Sequence, residues 1–181
     1  GFVYQYLQTI DQKANLSLNE RADREGTQIL KFISFELRNS KGIAISFVRS
    51  GQDIVIALKY RSHDVLRNVH VAIAVHGKFD ENLFHLSTSV NGLDFDEIPP
   101  NGIVFCKVPR MPLQPGSYSF NLFCTVAGEI ADWIRNAGIV EVEAGDFFGS
   151  GKLPPADKGP FVVQHSWGVS STRDSAFVEE F

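Results

Sequence analysis

The sequence predicts an all-β protein, an antiparallel β-sandwich of the immunoglobulin-like or jelly-roll kind. Three observations carry this reading. Apolar and polar residues alternate over most of the chain, Gly, Pro or Asn closes each alternating run, and no strand–helix–strand pattern or internal repeat intervenes.

The elements follow in order. Residues 1–10, GFVYQYLQTI, place Phe2, Val3, Tyr6, Leu7 and Ile10 at helical spacing. From Asp11 to Gly26 the chain is polar and charged, so a helix end and a linker are expected over 1–26. The period then becomes two. TQILKFISFELRN is closed by the turn NSKG, GQDIVIALKYRS puts Ile54, Ile56, Leu58 and Tyr60 on one face, and VHVAIAVHG turns Val69, Val71, Ile73 and Val75 inward. NLFHLSTSVNG, GIVFCKVPR and SYSFNLFCTV continue the series, GEIADWIRNAG reads as a short helix or loop, and GIVEVEAG is the seventh strand. In LQPGSY, Pro115 and Gly116 suit the centre of a type II turn. The sandwich is thus expected over 27–145, a Gly/Pro loop with one more strand over 146–167, and a polar tail over 168–181.

Composition narrows the function. The 181 residues suit one domain with tails, and 44% hydrophobic content with 15 Phe suits a globular chain with a sizeable core. A net charge of -4 argues against a nucleic-acid partner, because phosphates reward a basic surface. No apolar run approaches the roughly 20 residues of a membrane helix, and no signal-peptide pattern opens the chain. The first residue is Gly1 rather than Met, which fits a fragment cut between domains. Cys106 and Cys124 fall in different expected strands, too close in sequence for the cross-sheet disulfide of antibody domains, so two packed thiols in a reducing compartment are expected.

Several chemistries lack their residues. GSGK at 149–152 has the wrong spacing for a phosphate loop, and Leu153, Pro154 and Pro155 follow where a helix should start. The five His form no pair at metal-ligand spacing, and no cofactor is expected. His70 and His76 share a strand face but lie roughly 20 Å apart, too far to share an ion. Asp94, Asp96 and Glu97 form one tight acidic cluster; a glycosidase could use Asp94 and Asp96 as its two carboxylates, while a solvated loop is the plainer reading. No nucleophile elbow or activated-cysteine signature is present, so the chain reads as a non-enzyme.

The outward faces are more informative. On 69–77 they carry His70, Ala72, Ala74 and His76, small residues between two rings. On 117–126 they carry Ser119, Asn121, Phe123 and Thr125, an outward aromatic flanked by amide and hydroxyl groups. A sugar ring stacks on such an aromatic while its hydroxyls bond to the flanking groups. Candidate carbohydrate-binding residues are therefore His70, His76, Asn121, Phe123 and Thr125, with Trp133 at the rim. The same pattern is also that of an ordinary solvent face with one aromatic, and a one-residue register slip would invert it.

Taken in order, ILKFISFELRNSKG, FVRSGQDIVIALKY, VHVAIAV, NLFHLSTSVNG, MPLQPGSYSFNLF, IADWIRNAGIVEVEAGDFFGSG and GPFVVQHSW resemble one family over about Gly26 to Trp167. It is the C-terminal carbohydrate-binding domain of the ATP-binding subunit of O-antigen polysaccharide ABC transporters, the Wzt type. The DFFGSG and HSW ending is the most specific part. VYQYLQ is similar to the end of the helix leaving the nucleotide-binding domain of such subunits. The resemblance implies a cytoplasmic module, peripheral to the inner membrane, that recognises the modified non-reducing terminus of a finished polysaccharide and selects it for export. It implies as partners the transporter membrane subunit and the protein's own nucleotide-binding domain. It also implies a homodimer exchanging a C-terminal strand. Gly149 to Pro160 could extend to about 40 Å, and Phe161, Val163, His165 and Trp167 alternate with Val162, Gln164 and Ser166 in the run beyond. The dimer strand is thus expected at Phe161, Val162, Val163, His165 and Trp167, covering a sheet edge of a partner, with folding back on its own sandwich as the other course. A structural dimerisation module without ligand, and a hydrolase, are the competing functions.

Overall fold

The computed structural model describes residues 15–171, and within them the fold is all-β, in two sheets. The helical reading of 1–10 and most of the polar tail lie outside the described residues. The first sheet runs β1 (Asn15–Ser17), β2 (Lys31–Asn39), β4 (Ile54–Arg61), β8 (Gly102–Val108). The second runs β3 (Val48–Arg49), β10 (Glu129–Glu143), β9 (Gly116–Val126), β5 (Leu66–His76), β6 (Asn82–Ser87), with β7 (Phe95–Ile98) also paired to β5. All ladders are antiparallel except β10 with β3.

Alternation decides what is inside. Phe32, Phe35 and Leu37 of β2 and Ile54, Ile56, Leu58 and Tyr60 of β4 meet Val69, Val71 and Ile73 of β5 and Tyr118, Phe120, Leu122 and Cys124 of β9 in one core. Phe35 and Phe120 stack across the two sheets at 4.2 Å between centroids. Two tyrosines bury their rings and satisfy their hydroxyls on backbone: Tyr60 donates to the Pro99 carbonyl at 2.7 Å and Tyr118 to that of Gln114 at 2.6 Å. Cys106 and Cys124 are free thiols, and burial pushes both upward in pKa.

Three expectations change. GEIADWIRNAG is neither helix nor loop; from Glu129 on it opens the 15-residue strand β10. Two bulges, between Ile130 and Asp132 and between Ile134 and Gly138, shift its inward side, so its buried residues are not spaced by two. Gly116 has φ 158°, close to extended, so it opens β9 rather than completing a type II turn. Asn15–Ser17, in the expected linker, pairs with β2, and Leu18 beyond it is buried. The run FVVQHSW makes no strand in the single chain: Phe161 bridges Leu113, Val162 is buried at 2% exposure, and Val163 onward stands exposed.

The N-terminal segment is held to β10 by a buried ion pair. Asp132 is wholly buried; its Oδ2 accepts the Phe32 backbone N–H at 2.9 Å and its Oδ1 accepts Gln28 Nε2 at 3.0 Å. Arg24 Nε lies 3.4 Å from Asp132 Oδ1, and Arg24 donates to the Phe32 carbonyl at 3.1 Å. Gly26, at φ 118°, makes the close approach possible, since a Cβ there would collide with the Ala131 carbonyl. Removing one partner of such a pair strands the other charge without compensation. Asp132→Ala should lower the unfolding free energy by about 3 kcal/mol, read as a lower urea midpoint at unchanged slope; an unchanged midpoint would show that the pair does not anchor the segment.

Candidate functional site

The outer face of β5, β9 and β10 gathers a set of chemistry-bearing side chains. Register sets it: His70 is opposite Thr125, Ala72 opposite Phe123, Ala74 opposite Asn121, and Trp133 lies across β9 from Ala72, opposite Phe123. His70, Phe123 and Trp133 therefore form a row of edge-to-face rings, with centroids 6.0 Å and 5.5 Å apart. Phe123, Thr125 and Trp133 are half-buried, as rings and hydroxyls of an accessible face should be. Trp133 sits within a strand, not on a loop.

One end of the row is a polar cluster. Asp94 accepts the Thr88 hydroxyl at 2.6 Å and the Ser89 hydroxyl at 2.9 Å, with His70 Nδ1 3.2 Å away. Ser89 Oγ also lies 2.7 Å from His70 Nδ1. A carboxylate only accepts, so the Asp94 contact places a proton on His70 Nδ1, and the single Ser89 proton goes to the same carboxylate. The Thr88 hydroxyl, then that of Ser89, holds the Asp94 carboxyl below the usual carboxylate range, with His70 adding to them. A glycosidase acid needs the opposite shift. Nor is this a Ser–His–Asp relay, in which serine and carboxylate occupy opposite ring nitrogens.

The other end is committed internally. Asn121 Oδ1 accepts the Asn136 backbone N–H at 2.8 Å, which leaves its Nδ2 to donate to His76 Nε2 at 2.9 Å. Asn121 thus staples the second bulge of β10. His76 lies on the expected face but is buried at 8% exposure, its Nδ1 without a hydrogen-bond partner and 3.9 Å from Asp80. The structure brings together His70, Phe123, Thr125 and Trp133, while Asn121 holds the Asn136 backbone and His76 holds Asn121.

Two residues that sequence reasoning missed complete the rim. The Arg135 guanidinium lies 4.0 Å over the Trp133 ring and pairs with Glu25 at 2.9 Å. Glu25 also makes a two-bond backbone bridge with Trp133. A second concavity, an open cleft of about 410 Å3, separates the free edges of β6 and β8. Leu58, Val71, Ile73 and Leu86 help line it. Among the described residues no group of three His, Cys, Asp or Glu could hold a metal ion.

Comparison with known proteins agrees with this architecture. A family model described as the Wzt C-terminal domain matches residues 21–153. Among solved structures, the crystal structure of the C-terminal domain of wzt aligns with a TM-score of 0.67 at 13% identity, covering 84% of this chain and 92% of that one. No curated protein matches the chain.

The depressed Asp94 pKa has a direct readout. Its folded value lies below its unfolded one, so the stability it contributes is present above the unfolded pKa and is lost as pH falls through the folded one. A carboxyl-carbon NMR titration should give Asp94 a midpoint below the ordinary aspartate value, and Thr88→Ala should raise it; an ordinary midpoint would contradict the cluster.

Proposed function

This chain belongs to the Wzt C-terminal domain family, and we propose that it is a non-catalytic module recognising the modified non-reducing terminus of a completed O-antigen polysaccharide for export. The supporting observation is the row His70, Phe123, Trp133 on an open sheet face. The C–H face of a sugar ring stacks on Phe123 and Trp133, while His70 Nε2 and the Thr125 hydroxyl bond to its hydroxyls. A shallow site of this kind binds at roughly micromolar to millimolar strength, since little area is buried and each sugar hydroxyl must exchange water. Within the sandwich class, the Tyr118 bond to the backbone four residues upstream supports an immunoglobulin-like relationship.

The domain works as a homodimer exchanging Phe161, Val162, Val163, His165 and Trp167. Support comes from Trp167 and Val169, which stand 88% and 99% exposed in the single chain, and from the unpaired edges of β6 and β8 beside an apolar cleft. Its further partners are the nucleotide-binding domain of its own subunit and the transporter membrane subunit, at the cytoplasmic side of the inner membrane. Among the described residues no helix is long and apolar enough to cross a membrane.

Phe123→Ala and Trp133→Ala should each weaken binding of a terminal oligosaccharide by about five- to tenfold in calorimetric titration, with thermal unfolding little changed. Undiminished affinity in both would remove the face from the site. Analytical ultracentrifugation at micromolar concentration should show a dimer, and a monomer would end the exchange model.

A further inference from the structure

The charges around the aromatic row restrict what it accepts. Arg135 is paired with Glu25 at 2.9 Å. Arg21, which donates to the Arg135 and Asn136 carbonyls at 2.7 Å each, is paired with Asp23 at 2.7 Å. Arg67, further along β5, is paired with Glu97 at 3.2 Å. Each of these cations has its own carboxylate. Two other carboxylates, Asp94 and Asp80, have an imidazole in place of a guanidinium or ammonium, His70 at 3.2 Å and His76 at 3.9 Å. Protonating either imidazole would balance its neighbour and leave nothing over. A site for phosphate or carboxylate needs a guanidinium or ammonium with charge to spare; Arg21, Arg67 and Arg135 have none, and Lys78, on the turn past His76, lies over the Phe79 ring.

We propose, resting on the sugar-face reading above, that this site selects an electrically neutral glycan terminus, and that Glu25 is the residue setting that preference. Glu25 sits on the segment before the sandwich, bridged to Trp133 through backbone, and its carboxylate accepts from Arg135, whose guanidinium lies 4.0 Å over the indole. So held, Arg135 offers its remaining N–H donors to hydroxyls or an acetamido carbonyl rather than a free charge to an anion. Without Glu25 the same guanidinium would become an anion site.

Two measurements on the full chain separate this from the reading beneath it. The first needs no sugar: relaxation of the assigned Trp133 indole N–H by cationic and anionic nitroxide cosolutes, which samples local potential. The wild type should respond at least as strongly to the cationic probe, and Glu25→Gln should reverse the order. A stronger anionic response in the wild type overturns the inference whatever binds. The second follows the same resonance with methyl glycosides of a neutral hexose, deoxyhexose and N-acetylhexosamine, each against its uronate or phosphate counterpart. Neutral members should bind about tenfold tighter, and Glu25→Gln should shrink that margin at least threefold in the same titration. An anionic member that binds as tightly as its neutral counterpart overturns the inference and leaves the sugar face standing. Perturbation by none of them brings down the sugar-face reading and the inference with it.

Discussion

The pairing of β9 along both of its edges, continuous with β5 and bulged twice against β10, is the constraint on which the rest of the molecule depends. β5 and β10 flank it, and its period of two sends Tyr118, Phe120, Leu122 and Cys124 into the core while Ser119, Asn121, Phe123 and Thr125 face out. A slip of one residue would bury Phe123 and break the Phe35–Phe120 stack between the sheets, so core packing and the presentation of the aromatic row are enforced together. The cost of a wrong register is the whole core.

The bulges of β10 give that regular frame its chemistry. By shifting phase around Ala131, the strand points Asp132 inward to meet Arg24, Gln28 and the Phe32 backbone, and Trp133 outward to meet Phe123. The second bulge, stapled by Asn121, contains Arg135. A buried ion pair is a weak source of net stability but a strong determinant of geometry, because its partners tolerate no other arrangement. Residues 24–28 are thereby fixed beside the row, and the segment leading into the sandwich becomes part of its rim.

Much of the fold was legible in the sequence where alternation was long and uninterrupted. β2, β4, β5, β8 and β9 each run for seven residues or more, and the outward positions of His70 and Phe123 follow from counting. β1, β3 and β7, at three, two and four residues, are too short for a period to show. β10 was misread because its bulges bury Ala131, Ile134 and Ala137 at intervals of three, which mimics a helix. The internal commitment of Asn121 and the burial of His76 depend on Asn136 and the 77–81 turn, and Glu25 is 110 residues from Arg135, so no local pattern could announce any of them.

Among the described residues, the sheet face and the cleft between β6 and β8 are two candidate sites, and they differ in chemistry. The face is a row of rings on one sheet, whereas the cleft lies between two sheet edges and sets Leu58, Val71, Ile73 and Leu86 beside His85, Asn91 and Lys107. A crystal structure with a bound terminal oligosaccharide distinguishes them in one measurement. The sugar should lie over Phe123 and Trp133 with a hydroxyl on His70 Nε2. Ordered sugar in the cleft, with the aromatic row bare, would contradict that placement.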